Sequence, residues 1–494
     1  MLKTGKLFVL ILAVMTSLTG CEKNVDPPKP YGAIPSERQM AWHEMETYAF
    51  IHFTTNTFTD LEWGYGDEST EIFNPTDFNA DQIIGTLAKA GFKGAIITAK
   101  HHDGFCLWPT EYTEHSVKNS PWKDGKGDVV REISDACKRH GIKFGVYLSP
   151  WDRNHAEYGN EKYISYYQDQ LKELLTNYGD VFEIWFDGAN GGDGYYGGSK
   201  ESRKIDRSSY YQWEKVWETV RELQPNANIF SDAGPDLRWI GNEHGHAKDS
   251  CWATYTPEAR DGESKAYAGT TKYWVGEYGT ENGKFWIPAE TDVSIRPGWF
   301  YHASEDDKVK TLEHLLDIYF ASVGNGTSLN LNVPPDRTGQ IHETDSVRLM
   351  EFKAYLDKAF ANNLFKGCKV KASYSRGTAY SAKNLVDNNV DSYWATGDEQ
   401  KSASIEFKLD RNTEINCIVL QEYIQLGQRI TDFTVEVWEN NQWKEVADGS
   451  TIGYKKIVRF DSTTTNAVKV NIKNALACPV LSKVAAFTIP EMNE

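Results

Sequence analysis

Gly94-Ala95-Ile96-Ile97-Thr98-Ala99-Lys100-His101-His102-Asp103-Gly104-Phe105-Cys106-Leu107-Trp108 runs an apolar strand straight into two imidazoles, a carboxylate and two large aromatics. Titratable groups at the carboxyl end of a buried strand cost stability, and a parallel barrel keeps its chemistry at that place. Alone, the cluster admits three readings: metal ligands, a general base, or a grip on a hydroxyl-rich ligand.

Strand-like and helix-like runs alternate outward from this stretch. Ala49-Phe50-Ile51-His52-Phe53 is a short apolar run, and residues 80–92 place Ile83, Ile84, Leu87 and Ala90 on one helical face. A helix over 128–140 ends at Gly141, and the strand Phe144-Gly145-Val146-Tyr147-Leu148 follows. Helices over 163–178 and 210–223 flank the strand Val181-Phe182-Glu183-Ile184-Trp185-Phe186. After Pro225 the rhythm loosens: Asn228-Ile229-Phe230-Ser231 reads as a strand, then long loops rich in glycine and tryptophan run to Trp299. A helix over 309–323 and the strand Leu329-Asn330-Leu331-Asn332-Val333 restore it. Repeated units of this size imply a parallel sheet, and the expected α/β fold is a (β/α)8-like, TIM-type barrel over residues 32–362. A doubly wound sheet is the second choice, because no glycine-rich phosphate turn follows the first strand.

From about Lys366 the texture changes to short alternating runs such as Ser404-Ile405-Glu406-Phe407-Lys408-Leu409, separated by Asn, Gly and Asp turns. An all-β sandwich over 363–494 is expected. The stretch Asn384-Leu385-Val386-Asp387-Asn388-Asn389-Val390-Asp391-Ser392-Tyr393-Trp394 resembles the start of discoidin-like (coagulation factor 5/8 type C) modules, which include carbohydrate-binding modules of family 32. Those modules usually carry Asp-Gly where this chain has Asp387-Asn388, so a structural calcium ion there stays an open alternative.

The amino terminus reads as a bacterial lipoprotein signal over 1–21. Lys3 and Lys6 precede a short apolar segment, and Leu18-Thr19-Gly20-Cys21 resembles a lipobox that would place lipid on Cys21. Residues 22–31 are a polar, proline-rich tether. The expected location is that of an exported lipoprotein, held at a membrane face in the periplasm or on the cell surface by its lipid alone. The other six cysteines are scattered without a CxxC pair, so neither a zinc motif nor an essential disulfide is expected. A net charge of −17 over 494 residues argues against nucleic acid as a partner. The 16 Trp, 26 Tyr and 22 Phe suit a sugar ligand, whose ring faces stack on aromatics.

Glu183-Ile184-Trp185-Phe186-Asp187-Gly188 carries the strongest chemical signal: Glu183, Trp185 and Asp187 share a face, and Asp187 ends the strand just before a glycine. Such a carboxylate is a nucleophile candidate. Glycosidic cleavage needs a second carboxyl to protonate the leaving oxygen. Glu243, between Gly241 and Gly245, and Glu290 are the candidates, both in the loop-rich later barrel.

Ile51-His52-Phe53, Glu62-Trp63-Gly64, the 99–105 segment, Tyr147-Leu148-Ser149-Pro150-Trp151, Trp185-Phe186-Asp187-Gly188 and Ile295-Arg296-Pro297-Gly298-Trp299-Phe300-Tyr301 together resemble glycoside hydrolase family 29, the α-L-fucosidases. The resemblance implies a retaining exo-enzyme that needs no cofactor, with Asp187 as nucleophile. It implies Glu243 as acid/base, from the Gly241-Asn242-Glu243 segment, with Glu290 as the counterpart in the broader subfamily. It also implies a sugar pocket built from His52, Glu62, Trp63, His101, His102, Tyr147, Trp185, Arg296 and Trp299. The Gly-Asn-Glu segment and the trailing sandwich resemble the subfamily restricted to α-1,3 and α-1,4 linkages on branched glycans such as Lewis structures. A broad-specificity fucosidase, a non-catalytic glycan-binding lipoprotein and a metal hydrolase using His101, His102 and Asp103 are the alternatives. Adjacent residues on a strand point to opposite faces, which counts against shared metal ligation.

Overall fold

A computed structural model describes residues 25–491, so the 1–21 signal, Cys21 and the first tether residues lie outside the described residues. Eight parallel strands form one sheet: β1 Thr47–Ile51, β2 Gly94–Lys100, β3 Lys143–Leu148, β4 Val181–Trp185, β5 Asn228–Phe230, β6 Arg238–Trp239, β7 Ala289–Ser294 and β8 Ser328–Asn332. Their spatial order is β5-β4-β3-β2-β1-β8-β7-β6. A parallel bridge between Phe230 and Leu237 brings the two ends together, which makes the sheet a nearly closed barrel.

Helices cover the outside where the sequence period asked for them. They are α1 Ala80–Lys89, α2 Val129–His140, α3 Glu161–Asn177, α4 Trp213–Leu223, α5 Leu312–Ala321 and α6 Glu343–Ala359. The Asn79 side chain caps α1 by accepting from the Gln82 amide at 2.9 Å, and Asp128 caps α2 through the Arg131 amide at 2.8 Å. Gly141 stops α2 at φ +69°, after Lys138, Arg139 and His140 complement the helix end.

Strand alternation divides the buried residues into two sets. Ala49, Ile51, Ala95, Ile97, Val146, Leu148, Ile184, Leu329 and Leu331 face the helices in one cluster. Tyr48, Phe50, Ile96, Tyr147 and Phe230 fill the barrel interior in another, with Trp185 packed against them.

Behind α6 comes an antiparallel sandwich. Two strands of 20 residues, 403–422 and 456–475, pair along most of their length, with register shifts near Lys408 and Ile415. Such bulges let one strand serve both layers. The sandwich is fused to the barrel rather than tethered: Cys417, Val419, Ile457 and Phe487 join the barrel's helix-side core. Gln428 accepts from the Ala253 amide at 2.8 Å and donates to the Cys251 carbonyl at 3.0 Å, while Lys456 reaches Asp249 and Asn325. The expected tether is also held at its far end, since Arg429 donates to the Lys29 carbonyl at 2.7 Å and the Tyr31 amide to the Leu426 carbonyl at 3.0 Å. In the loop of the discoidin-like stretch, Asp387 accepts from Ser392 and the Asn389 amide. The six cysteines among the described residues are unpaired, and no described helix is long and apolar enough to cross a membrane.

A Cβ at Gly141 would meet open space, so its positive φ is the whole cost of a side chain there. Gly141→Ala is expected to destabilise the protein by about 1–2 kcal/mol in denaturant unfolding while leaving the circular dichroism of the folded protein unchanged. An unchanged midpoint would contradict this account of the α2 terminus.

Candidate active site

A cavity of about 430 Å³ opens at the carboxyl ends of the barrel strands. It gathers His52, Glu62, Trp63, His101, His102, Tyr147, Trp185, Asp187, Glu243 and Trp299 from seven separate segments. Each of them sits on the last inward positions of a strand or on the loop that follows one, where side chains reach solvent without leaving the scaffold.

The imidazoles are set by their partners. His52 Nδ1 lies 2.8 Å from Asn332 Oδ1, and the Asn332 amide donates to Ser294 Oγ and the Trp299 carbonyl. His52 therefore carries its proton on Nδ1. Ser149 donates to the Trp151 carbonyl at 2.6 Å, so it must accept from His102 Nδ1 at 2.7 Å. The free His102 Nε2 is an acceptor, 3.7 Å from Asp187 Oδ2. Two acceptors at that spacing leave a place for a donating hydroxyl. His101 stacks on Tyr147 at 5.7 Å, and its Nδ1 is buried without a partner. Burial pushes His52 and His102 down to about 3, and His101 well below its usual range. All three are neutral, which suits them to give and take hydrogen bonds with sugar hydroxyls rather than to hold charge.

Two of the carboxyls that line the cavity, Asp187 and Glu243, differ in surroundings. Asp187 accepts from Tyr147 Oη at 3.0 Å and from the Ala189 amide at 2.7 Å. Burial raises its pKa, while the hydrogen bonds from Ala189 and Tyr147 oppose the rise. Glu243 has one weak donor, the Trp299 indole at 3.4 Å. Partial burial raises it and the charge of Asp187 adds to the rise, against that single bond. The donors thus favour the anion more at Asp187 than at Glu243, where the charge of Asp187 favours the proton.

Glu62 lines the cavity and also organises its rim. It accepts from the Trp299 and Phe300 amides at 2.8 and 3.2 Å and pairs with His302 at 2.7 Å. Trp63 is 52% exposed and stands edge-on to His102 and Trp151 at 5.1 and 5.6 Å. It is free to meet a ligand.

Two residues expected in the site are elsewhere. Glu290 is not on a loop: it lies inside the barrel on β7, fully buried, taking the Tyr48 hydroxyl, the Trp185 indole at 2.8 Å and the Asn330 amide at 3.0 Å. With its oxygens occupied beneath the cavity floor, it cannot serve a leaving group. Arg296 does not line the cavity, because Asp345 and Asp306 take its guanidinium at 2.9 Å each and Tyr301 packs on its face. It anchors the loop that presents Trp299. Asp103 turns away from the histidine pair to accept from Thr54, Thr55 and the Phe105 amide. Among the described residues no three His, Cys, Asp or Glu side chains gather to hold a metal.

The sequence reading passed over other walls of the cavity, among them Phe50, Trp151, Phe230, Trp239, Tyr273, Arg207, Asp232 and Asp292. Asp232 follows β5 as Asp187 follows β4, and that position was the signal available for it. Burial pushes it up to about 7 although it accepts from the Gly269 amide and Thr271. Phe53, next to His52 in the chain, is buried among Phe58, Phe73 and Phe78 and does not line the cavity.

The family model described as Alpha-L-fucosidase matches residues 30–360, and that of the F5/8 type C domain matches residues 369–479. Alpha-L-fucosidase 1 of Arabidopsis thaliana is 40% identical over 467 residues, covering 93% of this chain and 88% of that protein. The crystal structure of a glycoside hydrolase 29 family member from an unknown rumen bacterium is 42% identical with a TM-score of 0.84, covering 94% of this chain and 79% of that one. A GH29 fucosidase of Ruminococcus gnavus in complex with fucose is 33% identical with a TM-score of 0.83, covering 95% and 98%.

The histidine shifts fix a sign for stability. Between pH 6.5 and about 3 the unfolded chain binds protons at His52 and His102 that the folded pocket refuses, so stability falls as pH falls through that interval. Imidazole NMR signals of His52 and His102 are expected to stay in the neutral form at a pH of about 5, where model histidine is mostly charged. Imidazolium signals in the folded protein at that pH would contradict the hydrogen-bond roles given above.

Proposed function

The chain belongs to the α-L-fucosidase family of glycoside hydrolases, and from that premise we propose that it is a retaining exo-enzyme releasing α-1,3- or α-1,4-linked fucose from branched glycans such as Lewis structures. The observation that carries the mechanism is the pair of unlike carboxyls, Asp187 and Glu243, facing one cavity. Asp187 attacks the anomeric carbon while Glu243 gives its proton to the glycosidic oxygen, which leaves with the bonding electrons. Glu243, now a carboxylate, takes a proton from water, whose oxygen then displaces Asp187 from the sugar. Configuration is kept after two inversions.

The other residues take roles that follow from their surroundings. Neutral His52, His101 and His102 hold the fucose hydroxyls. Phe50, Trp63 and Trp299 offer apolar surface to the 6-deoxy methyl group. Support for the linkage restriction is the Gly241-Asn242-Glu243 segment, which sets the acid on the loop after β6, together with the sandwich fused behind the barrel. The Lys3 to Cys21 stretch supports export as a lipoprotein tethered at a membrane face.

Hydrolysis of α-1,2, α-1,3, α-1,4 and α-1,6 fucosides by the same preparation tests the restriction. Turnover of the α-1,3 and α-1,4 linkages is expected, and comparable rates on all four would favour the broad-specificity reading. Glu243→Ala is expected to lower kcat by about 10²–10⁴-fold on substrates with poor leaving groups, with azide restoring turnover as a glycosyl azide. The same loss and rescue at Glu290→Ala, with Glu243→Ala active, would reassign the acid.

A further inference from the structure

Three carboxyl groups meet at the cavity floor, Asp292 lining the cavity and the other two below it, and among the described residues no ion pair joins them to a cation. Glu183 projects inward from β4, Glu290 and Asp292 from β7, and all three are buried. Tyr48 faces them from β1 and Asn330 from β8; Trp42 faces Glu183 from the helix Glu37–His43, and on the cavity side Glu243 faces Asp292.

Donors are unequally shared. Glu290 takes three: the Tyr48 hydroxyl on Oε2, and the Trp185 indole and Asn330 amide on Oε1 at 2.8 and 3.0 Å. Asp292 takes one, the Asn330 amide on Oδ1 at 3.2 Å, and its Oδ2 is buried without a donor. Glu183 has both oxygens buried without one. A buried acceptor left unpaired costs about 1–3 kcal/mol, more if charged, but a carboxyl that carries its own proton is a donor instead. Both carboxyls reach Glu290, and Asn330 Oδ1 is the other buried acceptor beside them without a donor. Like charges at such range cannot all ionise in a buried site.

We propose that Glu183 and Asp292 are neutral carboxylic acids donating to a single carboxylate, Glu290, and that this triad is a positioning device that fixes Trp185 in the cavity wall. The indole bonded to Glu290 stacks on Phe230 at 4.2 Å and on Tyr147 at 5.3 Å, and Tyr147 donates to Asp187 at 3.0 Å. Orientation therefore passes from Glu290 through two rings to the carboxylate that faces the sugar. Burial, and then the charge of Glu290, push Glu183 and Asp292 up, so a second charge enters the cluster only as pH rises. The inference rests on the cavity's being the fucose pocket.

The test sets Glu183→Gln, whose amide donates where the acid did, against Glu290→Gln, which turns the shared acceptor into a partial donor facing Tyr48, Trp185 and Asn330. Infrared spectra of the folded wild type near neutral pH are expected to contain the C=O stretch of neutral carboxylic acids, with one component lost in Glu183→Gln. Glu183→Gln should keep kcat and KM within about twofold and carry activity to higher pH. Glu290→Gln should fall by about 10²-fold in kcat/KM, the scale of a misplaced reacting group. Absence of the neutral-acid band in wild type, or equal losses in the two variants, would overturn the triad. Should Glu290→Gln fail to fold, the band and Glu183→Gln still decide. A wild type that cleaves no fucoside would defeat the reading of the pocket and leave the infrared result to judge the triad alone.

Discussion

Each barrel strand must satisfy two environments at once, and the rest of the structure follows from how this chain does so. Outward positions meet helices and are filled by Ala, Val, Ile and Leu, whose burial at roughly 25 cal/mol per Å² supplies the cohesion of the domain. Inward positions meet the lumen of the nearly closed barrel. There the chain places aromatics, Tyr48, Phe50, Tyr147, Trp185 and Phe230, and between them carboxyls and amides rather than aliphatics. The aromatics give the sugar flat and apolar walls, and the polar groups hold those walls by hydrogen bonds instead of packing alone.

Burial then sorts the titratable groups by what they can do. Three imidazoles that would sense pH near neutrality on a surface are held neutral here, so they serve as fixed hydrogen-bond partners. Two carboxyls with the same intrinsic chemistry separate by their donors: Tyr147 and the Ala189 amide favour the anion at Asp187, while Glu243 has only a distant indole. The proposed division into one nucleophile and one acid needs that asymmetry.

Most of the barrel was legible because its outward faces are apolar and its helices carry caps: Asp128 and Gly141 bound α2 within a residue of where the sequence put it. Strand β7 was not legible. Its sequence, Ala289-Glu290-Thr291-Asp292-Val293-Ser294, is polar at the inward positions, and a search for apolar runs passes over it. That omission misplaced Glu290 on a loop and kept it as an acid candidate. Arg296 failed for a different reason: an arginine near a cavity reads the same whether it meets substrate or, as here, is taken by Asp306 and Asp345. Asp187 and the His101-His102 pair were readable from position alone. Trp239 and Tyr273 were not, since the strand Arg238–Trp239 and the helix Tyr273–Tyr278 are too short to show a period in the sequence.

The proposed double displacement joins Asp187 covalently to the sugar. Incubation with a 2-deoxy-2-fluoro fucosyl donor bearing a good leaving group, followed by digestion and mass spectrometry, tests it directly. The account predicts that the peptide containing Asp187 gains one fluorofucosyl group. A label on a peptide holding Asp232 or Glu243, or none on a preparation that hydrolyses fucosides, would contradict it.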